Sequence, residues 1–119
     1  MDGKEIWTRQ VGTPESTYAR SIAIDNSGIY VAGFTHGTLP DQISSGEADG
    51  FVRKYDVDGS EIWTKQFGSS SGENVWGIAV DNSGVFVAGK TGSPIDAFIA
   101  KLTKDSVYLS FLYLPVVNR

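Results

Sequence analysis

Along the chain, short apolar runs alternate with clusters of Asp, Asn, Ser and Gly, and no segment sustains the 3.6-residue apolar period of a helix. Glycine interrupts every candidate helical window, so the runs are predicted as β-strands. In the second half they fall at residues 61–67 (run D), 75–81 (run A), 85–91 (run B) and 98–102 (run C). Runs A and B are joined by Asp81-Asn82-Ser83-Gly84, where Asn, Ser and Gly are expected to accept positive φ. The stretch from Tyr55 to Gly59 ends in Asp-Gly, a hairpin signal between runs C and D. The order is that of an antiparallel meander. Run B is apolar at consecutive positions, not alternate ones, which predicts that both faces of its sheet are covered by neighbouring sheets.

These runs recur. DGKEIWTRQVG at residues 2–12 returns as DGSEIWTKQFG at residues 58–68, and an offset of 56 from Trp7 to Trp63 also pairs Asp25-Asn26-Ser27-Gly28 with Asp81-Asn82-Ser83-Gly84 and Val31-Ala32-Gly33 with Val87-Ala88-Gly89. Beyond Thr35 the offset falls to 47, from Phe51 to Phe98, because the first copy carries nine extra residues within residues 35–49. That insertion is expected to be a loop. A unit of 47 to 56 residues built from four short strands fits a propeller blade better than a solenoid repeat. The fold class is therefore all-β: two four-stranded antiparallel meanders forming the blades of an incomplete β-propeller. The expected divisions are residues 1–12 as the outer strand of a preceding blade, 13–68 as blade one, and 69–119 as blade two with a degenerate last strand and an apolar tail.

Composition narrows the function. With 119 residues, 40% hydrophobic, the chain has the make-up of an ordinary globular domain. A formal charge of -4 removes the basis for sequence-independent nucleic-acid binding. Absence of Cys excludes disulfides, thiolate catalysis and cysteine-ligated metals. Residues 1–12 begin inside the repeat without a basic or apolar leader region, so no signal peptide is expected in this sequence. Residues 107–117 are apolar but about half of the roughly 20 residues a spanning helix needs, and Pro115 interrupts them, so no membrane span is expected.

The repeated pattern W-T-x-Q-x-G, then I-A-[IV]-D-N-S-G-[IV]-[YF]-V-A-G-x-T, then D-x-F-[VI]-x-K, resembles the bacterial β-propeller repeat family known as seven-bladed β-propeller repeats. The resemblance covers residues 2 to about 104. It implies four-stranded blades around an axis, often in large secreted or cell-surface bacterial proteins, and it implies no common catalytic residues. Only about two units are present, and residues 106–114 lack the Trp and Gly of the other D runs.

Candidate chemistry is sparse. Trp7 and Trp63 are expected to fill the gap between blades rather than act as sugar platforms. Trp76, whose counterpart is Arg20, stands outside the repeat pattern. Asp56 and Asp58 lack the full calcium-loop pattern, and Asp25 and Asp81 have a local role in opening a turn, so no metal or other cofactor is expected. His36, the single His, has no Ser or Cys partner motif. In a meander the D–A and B–C connections lie at one end of the sheet, and the two copies differ most there. That rim is the expected binding face, with Tyr18, Arg20, His36, Asp41, Asn74 and Trp76 as candidates.

The sequence thus reads as a non-enzymatic propeller scaffold or binding module, a fragment or building block of a larger closed propeller. Its expected partners are other blades, either in cis or from further copies, with a protein or a glycan as ligand. The rival readings are a lectin-like propeller and a glycan hydrolase or lyase using an axial cleft, which would need paired carboxylates.

Overall fold

In the computed structural model, which describes residues 2–92 and 94–104, two antiparallel sheets pack face to face. The first contains β1 (Thr17–Asp25), β2 (Gly28–Thr35), β3 (Asp49–Tyr55) and β4 (Glu61–Phe67) in that order. The second contains β5 (Glu73–Asp81), β6 (Gly84–Thr91) and β7 (Asp96–Leu102). Strands 61–67, 75–81, 85–91 and 98–102 of the sequence reading are all present, the last three starting one or two residues earlier. The position read as the fourth strand of blade two, and the apolar tail, lie outside the described residues. Among those described there is no helix, so none is long and apolar enough to cross a membrane.

Residues 2–12 repeat the sequence of β4 yet form no strand. A strand's backbone groups need a ladder partner, and β4 has β3 beside it. Among the described residues, 2–12 have no such neighbour.

Each A–B turn is held by its Asp: Asp25 Oδ1 accepts from the backbone N–H and hydroxyl of Ser27, and Asp81 Oδ1 accepts from the same two groups of Ser83. Positive φ in these turns is taken by the glycines, Gly28 at 156° and Gly84 at 159°, and not by Asn26, Ser27, Asn82 or Ser83; Asp41, at 62°, is the one non-glycine residue with positive φ among those described. Side-chain capping by the Asp holds the rest of the turn.

Both inner strands carry a register shift at equivalent places, between Ala19 and Ser21 on β1 and between Val75 and Gly77 on β5. The Gly of each VAG sequence permits it. A Cβ at Gly33 would collide with the Tyr18 carbonyl, and one at Gly89 with the Asn74 carbonyl.

The core is the seam between the sheets. Blade one contributes Tyr30, Ala32, Val52, Trp63 and Phe67; blade two contributes Val75, Val85, Val87, Phe98, Ala100 and Leu102, with Ile78 and Val80 packed alongside. Burying each large apolar side chain contributes about 1.5–3 kcal/mol. One seam therefore carries most of the apolar stabilisation, and it was legible in the consecutive apolar residues of run B. The seam is locked at the turn end: Trp63 Nε1 donates to the Lys104 carbonyl at 2.7 Å, and the Lys104 ammonium lies 2.6 Å from Asp25 Oδ2. Burial pushes the Asp25 carboxyl up, but hydrogen bonds from Lys104 and Ser27 outweigh it and hold the group well below the ordinary carboxylate range.

Candidate functional site

The pairing of Thr17 with Thr35, Thr35 with Asp49, and Gly50 with Phe67 brings the start of β1, the end of β2, the start of β3 and the end of β4 to one edge. The connections to blade two and the 36–48 loop therefore share a rim, as the meander predicts. On it, three of the six candidates converge. Tyr18 stacks on Phe34 with ring centres 4.8 Å apart, and His36 meets both rings edge-on, at 6.3 Å from Tyr18 and 6.0 Å from Phe34. The Arg20 guanidinium lies 5.5 Å from the Phe34 ring centre. Tyr18, Arg20 and His36 are exposed and Phe34 is buried, so an aromatic floor supports a polar, cationic surface.

Local sequence explains the convergence. Tyr18 pairs directly with Phe34 across β1 and β2, which puts their rings on one face. Arg20 sits in the bulge, which takes it out of the alternating pattern. His36 is the first residue after β2 and its N–H donates to the Ser16 carbonyl. Phe34 was not among the expected site residues, because a phenylalanine within an apolar strand reads as core.

The other three candidates are placed differently. Trp76 occupies the equivalent bulge on β5 and is 54% exposed. Asn74 pairs with Lys90 at the start of blade two. Asp41 is exposed at the tip of the 36–48 loop, beside a turn in which Gln42 N–H donates to the Leu39 carbonyl. Among the described contacts none joins these three to the Tyr18 cluster.

A polar cluster that sequence reading missed lies at the same end, between the blades. Gln66 is its centre: Nε2 donates to the Gly37 carbonyl and to Asp49 Oδ2, each at 2.9 Å, while Oε1 accepts the Leu39 N–H. Gln42 accepts the Gln66 backbone N–H, so the inserted loop is fastened along the outer edge of β4. Across the seam Glu73 accepts from the Ser69 backbone, the Ser69 hydroxyl and the Thr91 hydroxyl. Asp49 and Glu73 are each 1% exposed, and both press on Gly68, where a Cβ would collide with Glu73 Oε1 and lie 2.6 Å from Asp49 Oδ1.

Asp49 Oδ1 has no hydrogen-bond partner among the described residues. Burial pushes the Asp49 carboxyl above its ordinary range, the Glu73 charge adds to the shift, and the Gln66 and Ser45 hydrogen bonds oppose it. The signal for this cluster was present: the Gln of W-T-x-Q and the Asp of D-x-F recur in both copies, as a contacting pair would require. These two carboxylates are paired, but they are sealed inside the seam instead of facing a cleft.

The Trp positions resolve toward packing. Trp63 is buried at 7% exposure, edge-on to Tyr30 at 6.4 Å. Trp7 is half-buried against Tyr55, with ring centres 6.4 Å apart.

Residues 6–40 match the family model described as SBBP, a beta-propeller repeat. The matched span opens one residue before Trp7 and takes in β1, β2 and the start of the inserted loop. No curated protein matches the chain.

Proposed function

We propose that this chain, which carries beta-propeller repeats, is a non-catalytic building block of a closed propeller. One observation supports this reading above the others: each outer face of the blade pair repeats a face that is buried in the central seam and leaves isoleucines of that face exposed. The front of blade two is buried against blade one; the equivalent front of blade one exposes Ile22 and Ile24, at 66% and 67%. The back of blade one is buried against blade two; the equivalent back of blade two exposes Ile99 at 70%, with Ala88 and Ala97 also exposed. Contiguous apolar surface of this kind marks an interface. Because the two exposed faces are the two halves of one seam, they suit head-to-tail addition of further blades, whether from a longer chain or from other copies. The pair of buried carboxylates offers no support to a glycan hydrolase or lyase, since Asp49 and Glu73 already serve the seam.

The rim cluster supports a binding role for the finished ring. Tyr18, Arg20 and His36 over Phe34 present aromatic faces and a guanidinium on a rigid sheet end, a combination suited to an anionic or planar polar group on a protein or glycan. Trp76, at the matching bulge of blade two, would add a second aromatic on the same rim.

Light scattering across nanomolar to high-micromolar concentration tests the scaffold reading. The mass is expected to rise above that of one chain, and Ile24→Asp or Ile99→Asp should each hold it at one chain. A monomer that unfolds cooperatively at every concentration would overturn the proposal.

A further inference from the structure

Four exposed side chains at the rim carry donors that the fold does not use. Among the described residues the Tyr18 hydroxyl, the Arg20 guanidinium, the His36 ring and the Trp76 indole N–H have no hydrogen-bond or ion-pair partner. The other described arginines are spent inside the fold. Arg9 Nε donates to the Gly59 carbonyl at 2.7 Å, and Arg53 Nε donates to Thr64 Oγ1 at 2.8 Å beside Glu61. Arg20 meets only the Phe34 ring, and a guanidinium resting on a ring keeps its N–H donors for another group. The carboxylates nearest to it in sequence lie elsewhere, Glu15 Oε1 beside Gly37 and Asp25 Oδ2 at Lys104.

Paired strands hold these groups in place. Tyr18 lies opposite Phe34 in the ladder, and Arg20 stands in the bulge between Ala19 and Ser21. Trp76 stands in the same bulge on β5, between Val75 and Gly77, and β5 packs beside β1. Tyr18 is 47% exposed and Trp76 54%, so each offers ring surface to a ligand. Side chains positioned by strands have little freedom left to lose on binding. Packed sheets stand about 10 Å apart, so a ligand of several linked units reaches from Arg20 to Trp76.

Resting on the binding role given to this rim above, we propose that it takes an acidic saccharide, a short chain of sugar rings bearing carboxylates. The Arg20 guanidinium donates two parallel hydrogen bonds to one carboxylate. Sugar oxygens accept from Tyr18, His36 and Trp76, and the C–H face of a ring rests on the Trp76 indole. The site presents donors, and a carboxylated sugar is rich in acceptors. An acidic peptide answers the guanidinium equally well but brings backbone N–H groups that these four side chains cannot accept. A compact tetrahedral anion would leave Trp76 out of reach, and a formal charge of -4 opposes a polyphosphate chain.

Titration calorimetry with tetragalacturonate, its methyl ester and an end-blocked tetraglutamate peptide tests this. Tetragalacturonate is expected to bind, with the ester and the peptide each weaker by about tenfold or more, the worth of one charge-assisted contact. Arg20→Gln should weaken tetragalacturonate binding about tenfold, and Trp76→Ala about threefold, both without moving the thermal midpoint because both side chains are exposed. Tetragalacturonate binding that Arg20→Gln leaves unchanged would overturn the proposal. An ester that binds as tightly as the acid would overturn the carboxylate contact, and a peptide that binds as tightly would overturn the saccharide; either result leaves the rim as a binding face. Binding of none of the three would remove both the saccharide and the binding role of the rim, while the building-block reading stands or falls on the mass alone.

Discussion

Blade one and blade two are nearly the same sequence in different surroundings, and the contrast separates what a sequence encodes from what its neighbours complete. Val52 on β3 is fully buried, while Ile99, its equivalent on β7, is 70% exposed. Tyr30 is fully buried; Phe86 is half-buried. Trp63 closes the seam from within a paired strand, and Trp7 makes the same hydrogen bond from a segment with no ladder. Strand order, turn capping and bulge are the same in both copies. Burial is not, because burial depends on the sheet next door.

The largest expected effect breaks the comparison at the two indoles. Trp63→Ala removes a buried side chain from the seam and should lower stability by about 3–5 kcal/mol, whereas Trp7→Ala, half-buried at an end, should cost about 1 kcal/mol. Chemical denaturation of both variants checks this. Equal losses would mean that the seam does not dominate stability. A Trp63→Ala chain with an unchanged midpoint would return that residue to a ligand-platform role.

The next contrast is between Val52 and Ile99. Val52→Ala should cost about 2 kcal/mol, from lost burial plus a cavity. Ile99→Ala, on the bare face, should change the stability of the isolated chain by less than about 0.5 kcal/mol while weakening self-association. Measuring both midpoints at low protein concentration, and the mass at high concentration, separates the two effects.

These contrasts show how far the sequence could be read. The meander, its strand limits and the rim were legible because the turn signals, the repeated Asp of each A–B turn and the unbroken apolar runs are local features. The missing ladder at residues 2–12 is a matter of neighbours: the segment's own residues favour a strand, and among the described residues none pairs with it. At the rim, Tyr18, Arg20 and His36 were legible as variation between copies. Phe34 was hidden because its role depends on a cross-strand neighbour, and Gln66 with Asp49 because their contact joins two motifs from different strands.

The seam also sets a pH dependence. The fold holds the Asp49 carboxyl above its ordinary range, so the stability it contributes is complete below that range and is lost as pH rises through the raised value. Asp49→Asn keeps an acceptor for Ser45 and Gln66 and removes the buried charge. It should gain about 1 kcal/mol over the parent at pH 7 and nothing at pH 3, read from denaturation at the two values. A parent chain whose stability is flat across that interval, with Asp49→Asn parallel to it, would contradict the assignment.

The smallest effects lie in the A–B turns. Asp25 and Asp81 are both held below their ordinary range, so the stability they contribute is present above it and is lost as pH falls through the lowered values. Asp25 also holds Lys104 across the seam, whereas Asp81 is held mainly by Ser83. Asp25→Asn should cost about 0.5–1 kcal/mol at pH 7, and Asp81→Asn less. Thermal unfolding of the pair at pH 7 and pH 3 should show the difference shrinking at the lower value; a larger loss from Asp81→Asn would place the lock elsewhere.

The claim that cover, and not local sequence, separates the two blades is tested most directly by amide hydrogen exchange along β3 and β7 at two protein concentrations. At nanomolar concentration β3 is expected to be protected and the outer amides of β7 to exchange freely; at high micromolar concentration β7 should approach the protection of β3. Protection of β7 equal to that of β3 at both concentrations would contradict the account.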